Sequence, residues 1–164
     1  MKNLNLRKTM SRKGSDILIT IFVTIWALLA GASDALAQHE TKTVDGLKVT
    51  LAITSVEEIK KHPEEHPEIK MHGGPKGTHH LLIHIEDEKT GKVVGDASVK
   101  TIVHNPDGSK TTKALESMTI AGFKDYGNYF DFKELGDYHI EVAMTPLKGA
   151  PKKAFFVYER RGEH

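Results

Sequence analysis

The chain has no cysteine. It therefore has no thiol redox chemistry, iron–sulfur cluster or Cys-type zinc site, and no blue-copper centre, whose metal needs a thiolate. No disulfide can form, so stability must come from a packed core. Long apolar runs are also missing: the longest, ILITIFVTIWALLAG over residues 17–31, is shorter than the 18 or more residues of a comfortable membrane span. The enzyme signatures sought are missing too. There is no Gly-x-Ser-x-Gly elbow, Walker loop or His-Glu-x-x-His. Glu57/Glu58 and Glu64/Glu65 are charge runs rather than an acid–base pair. The expectation is a protein that is not an enzyme.

What is present starts with a leader. Lys2, Arg7, Lys8, Arg12 and Lys13 precede the apolar run, and Ala35-Leu36-Ala37 follows it as an Ala-x-Ala site. Basic, apolar and small-residue regions in that order read as a signal peptide cleaved after Ala37. Retention as an N-terminal anchor is the other reading. No twin-arginine pair occurs in this leader, which favours export as an unfolded chain. Cleavage leaves 127 of 164 residues, one ordinary domain. It removes five of 23 basic and two of 22 acidic residues, so the mature net charge is near −2. That balance, without a basic stripe, argues against a nucleic-acid partner.

Residues 38–164 read as short strands separated by turns. Leu47, Val49, Leu51 and Ile53 alternate with Lys48, Thr50 and Ala52, the period of a half-buried strand. Ser55-Val56-Glu57-Glu58 resembles a capping box opening one helical turn, and Pro63 and Pro67 stop anything longer. KKHPEEHPEIKMHGGPKG, residues 60–77, is a long His/Pro/Gly loop; loops of this length are functional or disordered. A strand follows from His79 to Glu86. Ala97, Val99, Thr101 and Val103 alternate again, and Asn105-Pro106-Asp107-Gly108 is a turn. Residues 111–118 suggest a strand, 121–127 a loop and 128–132 a short strand. Leu135-Gly136-Asp137-Tyr138 before alternating Ile140, Val142 and Met144 resembles a tyrosine corner. With Ala154–Glu159 this gives about seven strands and no long helix. The expected fold is all-β, an immunoglobulin-like antiparallel β-sandwich.

All ten histidines follow residue 37, and histidine is the commonest protein metal ligand. Leu81, Ile83 and Ile85 share a strand face with His79; His80, Leu82 and His84 share the other. The first set is more apolar and faces the core. His80 and His84 are separated by about 13 Å of strand, too far for two metal–imidazole bonds of about 2 Å, so His84 reads as a solvated residue. A regular strand also cannot aim both His79 and His80 at one ion. A strand start beside a Gly-rich loop need not be regular, and one of the pair can join Met71 or His72. Met118 is core filler or, as a thioether, a ligand for Cu(I). His62, His66, His104, His139 and His164 read as surface residues. His39 would be the second mature residue, one short of an amino-terminal copper site.

Some of these motifs resemble a known group. His79-His80-x-Leu82 leads into Asp87-Glu88-Lys89-Thr90-Gly91-Lys92, then Asn105-Pro106-Asp107-Gly108, Met118 and Tyr126-Gly127-Asn128-Tyr129-Phe130. Across residues 78–145 this resembles the small exported YtkA-like and FixH-like immunoglobulin-type domains of Gram-negative bacteria. More distantly it is similar to the periplasmic iron/copper-binding proteins that accompany iron permeases. In those, strand histidines, a methionine and a His-Tyr-Gly-Ala-Asn stretch surround copper. The resemblance implies that Met118 matches the family methionine and Tyr126-Gly127-Asn128 the conserved stretch. Asp125 stands where the family has histidine, so the ligand set is altered, with His72 or Asp125 substituting.

The expectation is a periplasmic protein binding a transition metal, copper foremost, for carriage, buffering or delivery. His79 and His80 are the central imidazoles, Met118 the soft ligand, and Met71-His72 a lid or further donor. The rival is a metal-free adaptor that docks on an envelope or respiratory partner. Convergence of His79, His80, Met118 and residues 71–72 would favour the first and scatter the second. Oligomeric state has no signature in the sequence.

Overall fold

Alternation along β2 buries Leu47, Val49, Leu51 and Ile53 on one face, and the same logic orders most of the chain. The computed structural model describes residues 38–61, 74–120 and 122–162. The leader and the Met71-His72 part of the long loop lie outside the described residues. Among the described residues nine strands form: β1 (Gln38–Val44), β2 (Leu47–Ser55), β3 (His79–Asp87), β4 (Ala97–His104), β5 (Lys110–Ala114), β6 (Glu116–Ile120), β7 (Phe123–Phe130), β8 (Gly136–Pro146) and β9 (Lys152–Arg160). One helix, α1 (Val56–Lys61), follows β2. Its first turn is capped by Ser55, whose Oγ accepts from the Glu58 amide at 3.1 Å.

Pairing is antiparallel throughout. One sheet runs β1-β2-β3-β7-β6 and the other β5-β4-β8-β9. The β-sandwich expected from the sequence is the observed architecture, with nine strands where about seven were read. The strand expected over 111–118 divides at Leu115, so that β5 pairs with β4 in one sheet and β6 with β7 in the other. β1 went unread; Asp45 and Gly46, both with positive φ, form the two-residue turn that pairs it with β2. β7 starts at Phe123, inside the stretch read as a loop.

The core lies between the sheets. It includes Leu51, Leu81, Ile83, Ile85, Val142, Phe130, Phe132 and Phe156. Phe132 is fully buried, with the rings of Tyr138 and Tyr158 each 4.9 Å away. Tyr138 forms the expected corner: its hydroxyl donates to the Glu134 carbonyl and accepts from the Glu134 amide, each at 2.9 Å. Gly136 stands at the start of that strand with φ +126°, a conformation that favours glycine.

A second buried patch lies outside this core cluster. Ala52, Val56, Ile59, His80, Met118, Asp125 and Tyr129 are buried yet are not among the residues of the inter-sheet cluster. Four of them, His80, Met118, Asp125 and Tyr129, are on β3, β6 and β7.

Two substitutions separate core volume from corner hydrogen bonding. Phe132→Ala should cost about 3–5 kcal/mol by opening a cavity. Tyr138→Phe should cost about 1–2 kcal/mol by removing two hydrogen bonds. Urea unfolding of both proteins, compared with wild type, measures the difference; a larger loss for Tyr138→Phe would contradict this packing.

Candidate metal centre

The register of three strands builds the site. β3 pairs with β7 so that His80 is opposite Tyr129 and Leu82 opposite Gly127. β7 pairs with β6 so that Gly127 is opposite Glu116 and Met118 opposite Asp125. Alternation then places His80, Met118, Asp125, Gly127 and Tyr129 on the face turned away from the core.

Gly127 is where this face closes up. A Cβ at that position would lie 2.7 Å from His80 Nε2 and 2.7 Å from Met118 Cε. Both distances are well inside van der Waals contact. The imidazole and the thioether therefore flank the space that a side chain at residue 127 would fill. His80 is 4% and Met118 2% exposed, so neither is a solvated surface group. The His80 ring packs on Tyr129, with centroids 4.9 Å apart.

The start of β3 is held regular. The Thr78 amide donates to the Phe130 carbonyl at 3.0 Å, and the Val56 amide donates to the Thr78 carbonyl at 2.9 Å. The Thr78 hydroxyl accepts from the Phe132 amide at 2.9 Å. A Cβ at Gly77 would meet the Phe130 carbonyl oxygen at 2.7 Å, so glycine permits the approach. His79 and His80 consequently obey strand alternation and point to opposite faces. His79 does not join His80 and Met118. Its ring meets Phe132 edge-on at 5.5 Å and Tyr158 at 6.0 Å, and its Nδ1 shares a 2.9 Å hydrogen bond with Thr78 Oγ1. Burial, then the positive charge of Arg160, holds its pKa below the ordinary value.

His84 differs from the solvated residue expected. Its side chain is 25% exposed and sits between two carboxylates, with Nδ1 2.5 Å from Asp125 Oδ1 and Nε2 3.2 Å from Glu86 Oε1. The hydrogen bond to Asp125 is the main cause of a raised pKa, opposed by burial and reinforced by the charges of Asp125 and Glu86. Asp125 is thereby engaged by His84. The two are 41 residues apart and meet only through the pairing of β3 with β7. Sequence spacing carries no signal for that contact.

The described residues thus bring together two of the five expected ligands, His80 and Met118. They separate His79 from both, and Met71 and His72 lie outside the described residues. Among the described residues no group of three or more His, Asp or Glu side chains is arranged to hold a metal. The donor-bearing side chains that border the space at Gly127 are one imidazole and one thioether. Thioether sulfur selects soft Cu(I), and imidazole also suits copper, so this pair fits that metal better than a hard cation.

The sequence matches no protein-family model and no curated protein. The fold has solved counterparts. FetP from uropathogenic E. coli strain F11 superposes with a TM-score of 0.61 at 13% identity, covering 78% of this chain and 97% of its own. Copper-bound P19 variants from Campylobacter jejuni include one with a TM-score of 0.56 at 14% identity, covering 76% and 96%. A DUF4426 family protein from Pseudomonas aeruginosa has a TM-score of 0.55 at 10% identity, covering 77% and 97%. FetP has also been solved with copper bound, as an E. coli F11 variant. The chain shares the β-sandwich fold of these proteins.

The two histidines of β3 with shifted pKa values should show opposite pH dependences. The raised pKa of His84 makes its pairing stabilising below the unfolded value of about 6.5, and that contribution fades as pH rises through the folded value. His79 runs the other way: its burial becomes a cost as pH falls from about 6.5 through its lower folded value. His84→Gln should therefore lose about 1 kcal/mol at pH 6 and progressively less at higher pH. Urea unfolding at several pH values reads this; a pH-independent loss would contradict the ion pair.

Proposed function

We propose that this chain is an exported metal-binding protein that carries, buffers or delivers copper in the periplasm, without turnover. The observation that carries the reading is that His80 and Met118 both border the space over Gly127. A buried imidazole beside a buried thioether on a sheet face remote from the core has no packing necessity. Together the two offer a nitrogen and a soft sulfur donor, the combination suited to Cu(I). The sandwich shared with copper-bound P19 and FetP structures supports the same direction.

In this reading His80 and Met118 are the protein's fixed donors, and strand pairing sets their separation. Gly127 keeps the space between them clear. His84 and Asp125 satisfy one another beside Met118, so Asp125 serves as the partner of an imidazole. Met71 or His72, which precede β3 in the sequence, supplies a further donor or a cover. His79 is a core-rim residue. Among the described residues no helix is long and apolar enough to cross a membrane, and the leader read at residues 1–37 provides the export route.

Cu(I) titration against a competing chromogenic chelator tests this. The purified protein should bind one equivalent with a Kd tighter than about 1 μM. His80→Ala and Met118→Leu should each weaken binding substantially, Met118→Leu with little change in volume. Gly127→Ala should weaken it too, because the added methyl occupies the space between the donors. His79→Gln should leave affinity unchanged. Equal affinity in wild type, His80→Ala and Met118→Leu would overturn the assignment.

A further inference from the structure

The distance that separates His80 from His84 along one strand is overcome where two histidines face each other across strands. His104 of β4 and His139 of β8 are direct partners in the antiparallel register. Directly opposed residues have Cβ atoms about 4.5–5.5 Å apart, and metal–imidazole bonds are about 2.0–2.1 Å. Two imidazoles on that footing can close on one ion without moving the backbone.

Both side chains stand on the outer face of the β5-β4-β8-β9 sheet. Their sequence neighbours Val103, Tyr138 and Ile140 are buried in the core, while His104 and His139 are exposed. Among the described residues neither imidazole enters a hydrogen bond or ion pair with the protein. They border a shallow depression shared with Glu141, Phe155 and Val157. Phe155 and Val157 are 58% and 41% exposed, so one flank of the pair is apolar. Glu141 is two residues along β8 on the same face, but its carboxylate is held by Lys153 at 2.7 Å. Lys110 is opposite His104 on the other side. Lys42, paired with Glu40 at 3.1 Å, also lines the depression, so the neighbourhood carries a small positive excess and the imidazoles are its available donors.

We propose that His104 and His139 form a second, solvent-facing site for a divalent transition-metal ion of the imidazole-preferring class: Cu(II), Ni(II) or Zn(II), with Cu(II) the tightest. Two protein nitrogens leave the other coordination positions to water or to a donor from another molecule. The site belongs to the other sheet and does not depend on the His80–Met118 reading. It contains no thioether and so takes the harder, oxidised ion, whereas the buried pair suits the softer, reduced one.

Substoichiometric Cu(II) added to the isotopically labelled purified protein provides the test, through paramagnetic broadening of backbone amide signals. Broadening should centre on residues 103–105 and 138–140. His104→Gln and His139→Gln should each abolish that centre and weaken its Cu(II) affinity by on the order of 100-fold, the gain expected from holding a second donor on one rigid surface. The double variant should be no worse than either single one, since loss of one imidazole already ends chelation. Both residues are exposed, and the undisturbed amide spectrum of each variant reports that it has folded. Broadening that spares residues 104 and 139, or that persists around them in either single variant, would overturn the proposal.

Discussion

The pairing of β3 with β7 is the constraint on which the rest depends. It brings together residues more than forty positions apart: His80 with Tyr129, Leu82 with Gly127, and His84 with Asp125. It also fixes which face each histidine takes, because a one-residue slip would exchange the faces. That slip would drive His80 into the sandwich core and turn Leu81, Ile83 and Ile85 outward. Register is therefore enforced by hydrophobic burial, and the site inherits its precision from the core. Thr78 and Gly77 lock the start of the strand to the end of β7. The geometry of His80 is thus set from both sides.

The two faces of this sheet carry different work. The inner face supplies Leu51, Ile53, Leu81, Ile83 and Tyr126 to a continuous apolar core, which a chain without cysteine needs. The outer face is also partly buried, by residues that a minimal sandwich does not require. His80, Met118, Asp125 and Tyr129 are all under 7% exposed. Polar groups buried there need partners. His84 answers for Asp125, and Met118 and Gly127 define the surroundings of His80.

Much of the fold was legible because the sandwich rests on period-2 alternation and on glycine and proline turns. Leu47–Ile53, Ala97–Val103 and Ile140–Met144 needed nothing more. The unread elements have physical causes. β1 is polar along most of its length, and its pairing depends on the Asp45-Gly46 turn. β7 contains Asp125 and Gly127, poor strand formers; Asp125 pairs with His84, and His80 and Met118 crowd the position over Gly127. The site was only partly legible for the same reason. Alternation correctly sets His79 and His80 on opposite faces, and it cannot report that His84 finds Asp125 across the strand boundary. The proximity of His80 and Met118 is likewise a product of two strand registers, not of spacing in the chain.

The central claim is that one imidazole and one thioether bind the same ion. X-ray absorption at the copper edge of the Cu(I)-loaded protein addresses it most directly. The account predicts both nitrogen and sulfur scatterers in the first coordination shell of the wild-type protein, with the sulfur contribution reduced in Met118→Leu. A shell of nitrogen and oxygen alone, or a sulfur signal unchanged in that variant, would contradict it.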